Sequence, residues 1–182
     1  MTCIVALKHQ GVIYMGADSA GVGGLSLTVR NDPKIYRNGP VLFGFTTSFR
    51  MGQLLGHGFR MPLRDPSLAL GKFMVTDFID AVRTCLKNGG YAKKENEVEH
   101  GGTFLVAYDG HLFCIDSDYQ VGQQKLPFDA CGCGADVALG SLFTTEKIAA
   151  TTLPEDRIRL ALEAAEQFSA GVRGPFLIEV LK

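Results

Sequence analysis

Threonine stands second in the chain, directly behind Met1. Initiator methionine is removed when the following residue is small, so Thr2 is expected to become the first residue. It would then carry a hydroxyl nucleophile and a free α-amine together. An α-amine has a reference pKa of roughly 7.7–8.0, close enough to neutrality to accept the hydroxyl proton. An N-terminal threonine is thus a nucleophile with its own base attached. Threonine at position two is common, so the type of residue alone decides little.

The other reactive side chains offer less. Cys3 follows Thr2, but alternation along a first strand would turn it away from the Thr2 face. His100 precedes Gly101-Gly102, yet no Gly-x-Ser-x-Gly elbow exists to partner it. His9, His57 and His111 carry no motif. Cys131-Gly-Cys133 lacks the spacing of a zinc or thioredoxin site, and no histidine pair completes a ligand set, so neither metal nor organic cofactor is expected. Gly21-x-Gly23-Gly24 is not followed by Gly-Lys-Ser/Thr and is no phosphate loop.

The elements that must position Thr2 begin at once. Cys3 to Lys8 and Val12 to Ala17 are apolar runs around a His9-Gln10-Gly11 turn, a hairpin signature. Glycine-rich Ala20 to Asn31 reads as an irregular surface segment. Lys34–Arg37 and Val41–Thr46 flank Asn38-Gly39, which predicts a second hairpin with a type I′ turn. Leu70, Phe73, Met74, Phe78, Val82 and Leu86 recur at helical spacing and end at Asn88-Gly89-Gly90. A charged loop, Tyr91 to His100, leads to a third hairpin turning at Asp109-Gly110. Two helices close the chain, Gly134 to Ala149 and a second from a capping box at Thr152-Leu-Pro-Glu155, before a terminal strand from Phe176 to Leu181. Grouped antiparallel strands and grouped helices predict an α+β protein, with helices layered outside sheets.

Composition sets the frame. Of 182 residues, 46% are hydrophobic and 20% charged, which suits a single domain over 1–182 with a sizeable core. Eighteen basic and nineteen acidic residues leave a net charge of −1, so neither nucleic acid nor an anionic membrane is implied as a partner. No secretory signal or membrane-length apolar run is visible, and five scattered cysteines suit free thiols in a reducing compartment. A cytoplasmic protein is expected.

The opening becomes specific when read as a whole. Thr2-Cys-Ile-Val-Ala-Leu, Gly16-Ala-Asp18-Ser19 and Asp32-Pro-Lys34 resemble the start of proteasome β-type subunits and their bacterial relatives, which are N-terminal nucleophile hydrolases. Asp18 lies sixteen residues and Lys34 thirty-two residues after Thr2, the family's intervals for its catalytic threonine, aspartate and lysine. Gly132-Cys-Gly134, opening a helix with Ala138-Leu-Gly140, and Ser169-Ala-Gly171 extend the resemblance.

That resemblance implies a four-layer αββα sandwich, with two antiparallel sheets between helix layers and Thr2 at the mouth of their cleft. It implies that Lys34 depresses the pKa of the Thr2 hydroxyl and α-amine, and that Asp18 holds Lys34 charged. Taken as an exposed side chain, Lys34 would contribute little to folding. The chain departs from the family at four places. Cys133 stands where an assisting serine is usual, and Glu166 where an aspartate precedes Ser-Gly-Gly. Ser48 replaces the oxyanion-hole glycine but keeps a backbone N–H. Ala20 replaces the arginine after Asp18-Ser19.

The resemblance implies a threonine-type peptidase working through an acyl-enzyme on Thr2, with a peptide or protein as substrate. Two other readings stand beside it: an amidase or acylase on a small amide, and a non-catalytic shell subunit. Subunits of the shell type usually begin with an extra helix, whereas this sequence opens on a strand. A homo-oligomeric ring is expected, because an unshielded protease needs enclosure. Phe49-Arg50-Met51 and the apolar helix of Leu68–Leu86 are candidate subunit contacts. Nothing in the sequence points to a particular unfoldase ATPase.

Overall fold

The computed structural model describes residues 1–148 and 151–182. Two sheets form its middle. The first orders β12 (Phe128–Gly132), β1 (Cys3–His9), β2 (Val12–Ala17) and β13 (Leu177–Leu181). The second orders β11 (Val121–Gly122), β10 (His111–Ile115), β9 (Phe104–Tyr108), β6 (Val41–Phe45) and β5 (Ile35–Asn38). Every neighbouring pair in these two sheets is antiparallel.

Alternation along the strands assigns each face. In β1, Cys3, Val5 and Leu7 turn toward helices α4 (Ala135–Ile148) and α5 (Pro154–Phe168), packing with Ala138, Leu142, Ile158 and Leu162. Ile4 and Ala6 turn the other way, onto Met15, Leu42, Leu105 and Ala107 between the sheets. On the far side, Phe43, Phe45, Phe104 and Val106 face the second helical layer. That layer is α1 (Phe49–Gln53) with a π-helical turn over Leu54–Gly58, and α2 (Leu70–Phe73), which continues through a π turn at Met74–Phe78 into α3 (Ile79–Asn88). The order is α, β, β, α, the four layers that the resemblance implies. The sheets approach closely at Gly44, where a Cβ would lie 2.5 Å from Ile4 Cγ2 and 2.6 Å from Met15 Sδ.

Several local expectations need correction. Asn38 pairs with Val41, so the two-residue turn is Gly39-Pro40 rather than Asn38-Gly39. Gly39 takes φ +57° and proline's ring holds φ negative, the signs of a type II′ turn. The segment read as irregular is a small hairpin of β3 (Ala20–Gly23) and β4 (Ser26–Val29). The charged loop is another, β7 (Lys93–Glu95) and β8 (Val98–His100), turning at Asn96-Glu97 with φ 48° and 67°.

Thr152 caps nothing: Leu153 is the N-cap of α5, it makes no side-chain cap bond, and Pro154 opens the helix. The end expected for α4, Ala149, lies outside the described residues. Of the candidate subunit contacts, Met51, Phe73, Met74, Phe78, Val82 and Leu86 are buried in the chain's own core. Among the described residues, no helix is long and apolar enough to cross a membrane.

Candidate functional site

Thr2 lies just before β1 and is 5% exposed. Its amide N–H donates to Cys133 Sγ at 3.3 Å, and the Cys133 thiol donates back to the Thr2 carbonyl at 3.4 Å. Ser169 Oγ donates to the same sulfur at 3.3 Å. The Thr2 hydroxyl donates to the Met1 carbonyl. Gly132 makes this approach possible: at φ +100° it is in a region side chains avoid, and a Cβ there would overlap the Thr2 carbonyl. Thr2, Cys133 and Ser169 are therefore brought together.

Asp18 and Lys34 form the second half. Lys34 Nζ donates to Asp18 Oδ1 at 2.8 Å, and the Cys3 amide donates to that oxygen at 2.9 Å. Asp18 Oδ2 accepts from the amides of Ala20 at 2.9 Å and Arg173 at 3.3 Å. The pair is thus anchored to the residue that follows Thr2. Both side chains are shut away from water, at 1% and 0% exposure, which corrects the reading of Lys34 as an exposed lysine. Burial pushes the Lys34 ammonium below the usual lysine range, and the Asp18 charge offsets this only in part. Lys34 therefore parts with its proton more readily than a surface lysine.

Two expected residues stand apart from this cluster. The Ser48 N–H donates to the Thr46 carbonyl at 2.6 Å, closing a γ-turn around Thr47 at φ +62°. That amide is already engaged, so the Ser48 oxyanion donor is not free in this conformation. Its hydroxyl caps α1 by accepting from Arg50 N at 3.1 Å. Positive φ is costly for a β-branched residue, and Thr47 is pinned there by Thr46 Oγ1 at 3.2 Å and the Thr103 amide at 3.3 Å. Glu166 bonds neither Thr2 nor Ser169; its carboxylate accepts from the Gly174 amide at 2.9 Å.

Cys3 faces the α4–α5 side, as alternation predicts. Burial, reinforced by Asp18, pushes its thiol up to about 12, so it stays protonated and inert at neutral pH. Among the described residues no cluster of His, Cys, Asp and Glu could hold a metal. Arg173 was not foreseen, because only its backbone takes part and no side-chain pattern marks that.

An open groove of about 570 Å3 runs beside the Asp18–Lys34 pair, lined by Gly21, Val22, Thr28, Arg30, Asp32 and Phe49. Phe49 links the two: its ring centroid is 3.9 Å from the Arg30 guanidinium carbon and 5.9 Å from Lys34 Nζ. A smaller concavity of about 340 Å3, at Lys8, His111 and Lys125, carries no hydroxyl or thiol. It lies at the other end of β1, about 20 Å away at strand rise.

No protein-family model matches the sequence, and no curated protein is significantly similar to it. Solved structures are similar in fold. Thiobacillus denitrificans BPH in complex with epoxomicin superposes with a TM-score of 0.80 at 22% identity, covering 99% of this chain and 98% of that one. BPH by itself gives 0.79 at 21%, over 99% and 97%. Eukaryotic HslV from Trypanosoma brucei gives 0.68 at 14%, over 99% of each chain. The fold is that of the proteasome-type N-terminal nucleophile hydrolases.

Proposed function

We propose that residues 1–182 form one domain acting as a threonine peptidase, with Thr2 as nucleophile once Met1 is removed. The observation that carries this reading is the Asp18 carboxylate, bonded at once to Lys34 and to the Cys3 amide, one residue from Thr2. Loss of Met1 turns the Thr2 nitrogen into an α-amine, with Cys133 Sγ 3.3 Å away and Ser169 behind the sulfur to orient it. Thr2 Oγ attacks the scissile carbonyl while its proton passes to the α-amine. The buried Lys34 ammonium stabilises the charge developing on oxygen. The C–N bond then breaks, the leaving amine takes the proton, and an ester remains on Oγ. Water, deprotonated by the α-amine, releases the acid and restores the hydroxyl. The groove along Gly21 and Phe49 suits an extended peptide.

We assign the same protein a homo-oligomeric, ring-like state with the sites facing inward. Light scattering on the eluting protein tests this, and a monomer mass of 19.7 kDa in a sample cleaving bulky substrates would refute it.

One observation favours a second reading, a catalytically silent shell subunit: the engaged Ser48 amide leaves the oxyanion without its expected donor until the Thr46–Ser48 turn opens. Turnover of a fluorogenic peptide panel by the parent and by Thr2→Ala, at matched thermal melts, separates the two. The peptidase reading expects hydrolysis that vanishes in the variant. Hydrolysis absent from both supports the silent subunit, and equal hydrolysis in both removes Thr2 from the chemistry.

A further inference from the structure

Ile4 and Ala6 point between the sheets, and alternation puts Lys8 on the same face, near the end of β1 away from Thr2. There it joins His111 and Leu112, at the start of β10, and the connection from β11 to β12 over residues 123–127. Together they enclose the concavity of about 340 Å3. The Lys8 amide donates to the Pro127 carbonyl at 2.6 Å, which pins that connection to β1. His111 is held as well. The Asp109 carbonyl, 2.7 Å from Nδ1, can only accept, so Nδ1 carries its hydrogen there and Nε2 is left for another partner.

The walls carry donors and no carboxylate. Lys8, Lys125, His111, Gln123 and Gln124 line the space. Among the described residues, neither lysine has an ion-pair partner. Among the same residues, no backbone carbonyl accepts from the amides of Gln124, Lys125 or Leu126. The nearby acids do not compensate. Asp109 keeps its carboxylate on Arg64 at 3.1 Å, and Asp129, two residues past Pro127, is buried and does not line the space. Other concavities mix the signs: Arg30 meets Asp32 in the groove at Phe49, and Arg83 and Lys94 meet Asp80, Glu97 and Glu99 in another. Two ammonium groups that face one space without a counter-charge repel each other, and a bound anion replaces that repulsion with attraction.

We propose that this concavity binds a phosphoryl dianion, carried by a small organic ester or free as inorganic phosphate. Lysine is a compact point charge that suits a tetrahedral oxyanion. Planar carboxylates are typically gripped by the arginine fork, which the lining lacks. Leu112, Leu126 and Pro127 supply an apolar wall, against which the organic part of an ester would lie. The volume falls at the small end of the range of about 300–1,000 Å3 for small-molecule sites. The site is separate from Thr2 and does not rest on the peptidase reading.

Calorimetric titration of the full chain with phenyl phosphate, inorganic phosphate and benzoate tests this, on the parent, Lys125→Ala and Lys8→Met. Phenyl phosphate is expected to bind the parent with a Kd below about 1 mM and to weaken as salt is raised. Each variant should bind it about 10-fold less tightly, the scale of one charge-assisted hydrogen bond. Lys125 is on an exposed connection, so its variant carries the test even where Lys8→Met melts early. Tighter binding of phenyl phosphate than of inorganic phosphate identifies an ester as the ligand, and equal affinities identify free phosphate. Thr2→Ala should bind as the parent does, so a failed peptidase reading leaves this site standing. Benzoate binding as tightly as phenyl phosphate overturns phosphoryl recognition. No heat and no rise in Tm at about 10 mM of either phosphate overturns the site, as does parent-like affinity in a folded Lys125→Ala.

Discussion

Asp18 and Lys34 meet 2.8 Å apart with both side chains withdrawn from water. Removing one partner of such a pair strands the other charge in a poorly solvating interior, which typically costs about 3–5 kcal/mol. Lys34→Ala is therefore expected to melt well below the parent as well as to lose turnover. The double variant Asp18→Asn/Lys34→Met removes both charges but turns an amide NH2 toward a backbone N–H donor, so it should recover only part of the stability while remaining inactive. Thermal melts and peptide turnover on the three proteins check this. A single variant as stable as the parent would contradict the buried pair.

Asp129 is 4% exposed and accepts a hydrogen bond from the Ala130 amide at 2.8 Å, with no cationic partner among the described residues. Burial pushes its carboxyl above the ordinary 3.8, with the Ala130 bond opposing in part. The stability tied to its proton is present below the unfolded value of 3.8 and is lost as pH rises through the raised folded value. Asp129→Asn, uncharged at every pH, should thus be more stable than the parent at pH 7, and the difference should vanish at pH 3. Urea midpoints at the two pH values check the sign.

Cys133 is exposed, whereas Cys3 and Cys131 are buried and Cys114 is half-buried, with burial holding the last thiol up at about 12. A water-soluble alkylating reagent at neutral pH should therefore modify Cys133 first. Because its sulfur touches the Thr2 nitrogen, the adduct should abolish hydrolysis. Cys133→Ser puts a stronger hydrogen-bond donor at that place, so it should resist the reagent and turn over at least as fast as the parent. Peptide mapping after brief alkylation, followed by an activity assay, checks both.

The region around Thr2 was legible because it depends on strand periodicity and on turn chemistry written in adjacent residues. Gly11 and Asp109-Gly110 take the positive φ their types permit, and alternation from Ile4 and Cys3 settles which way each side chain points. The structure departs from the local signal where a neighbour or the tertiary fold overrides it. Asn38-Gly39 is a strong turn pair, but Pro40 cannot donate to a ladder, and the turn moves one residue along. Strand β12 escaped notice because Asp129 interrupts its apolar run. The burial of Lys34 exists only once two sheets close over it. The partner of Glu166 is a backbone amide, and no residue type announces that.

In the proposed reaction Thr2, freed of Met1, carries the acyl group of the substrate. Tandem mass spectrometry of the protein, quenched in acid during turnover of an activated peptide ester, tests it directly. The expected product is an N-terminal peptide that begins at Thr2 and bears the substrate's acyl group on the threonine oxygen. An acyl group found on Cys133 or any other residue, or active protein that still begins with Met1, would contradict it.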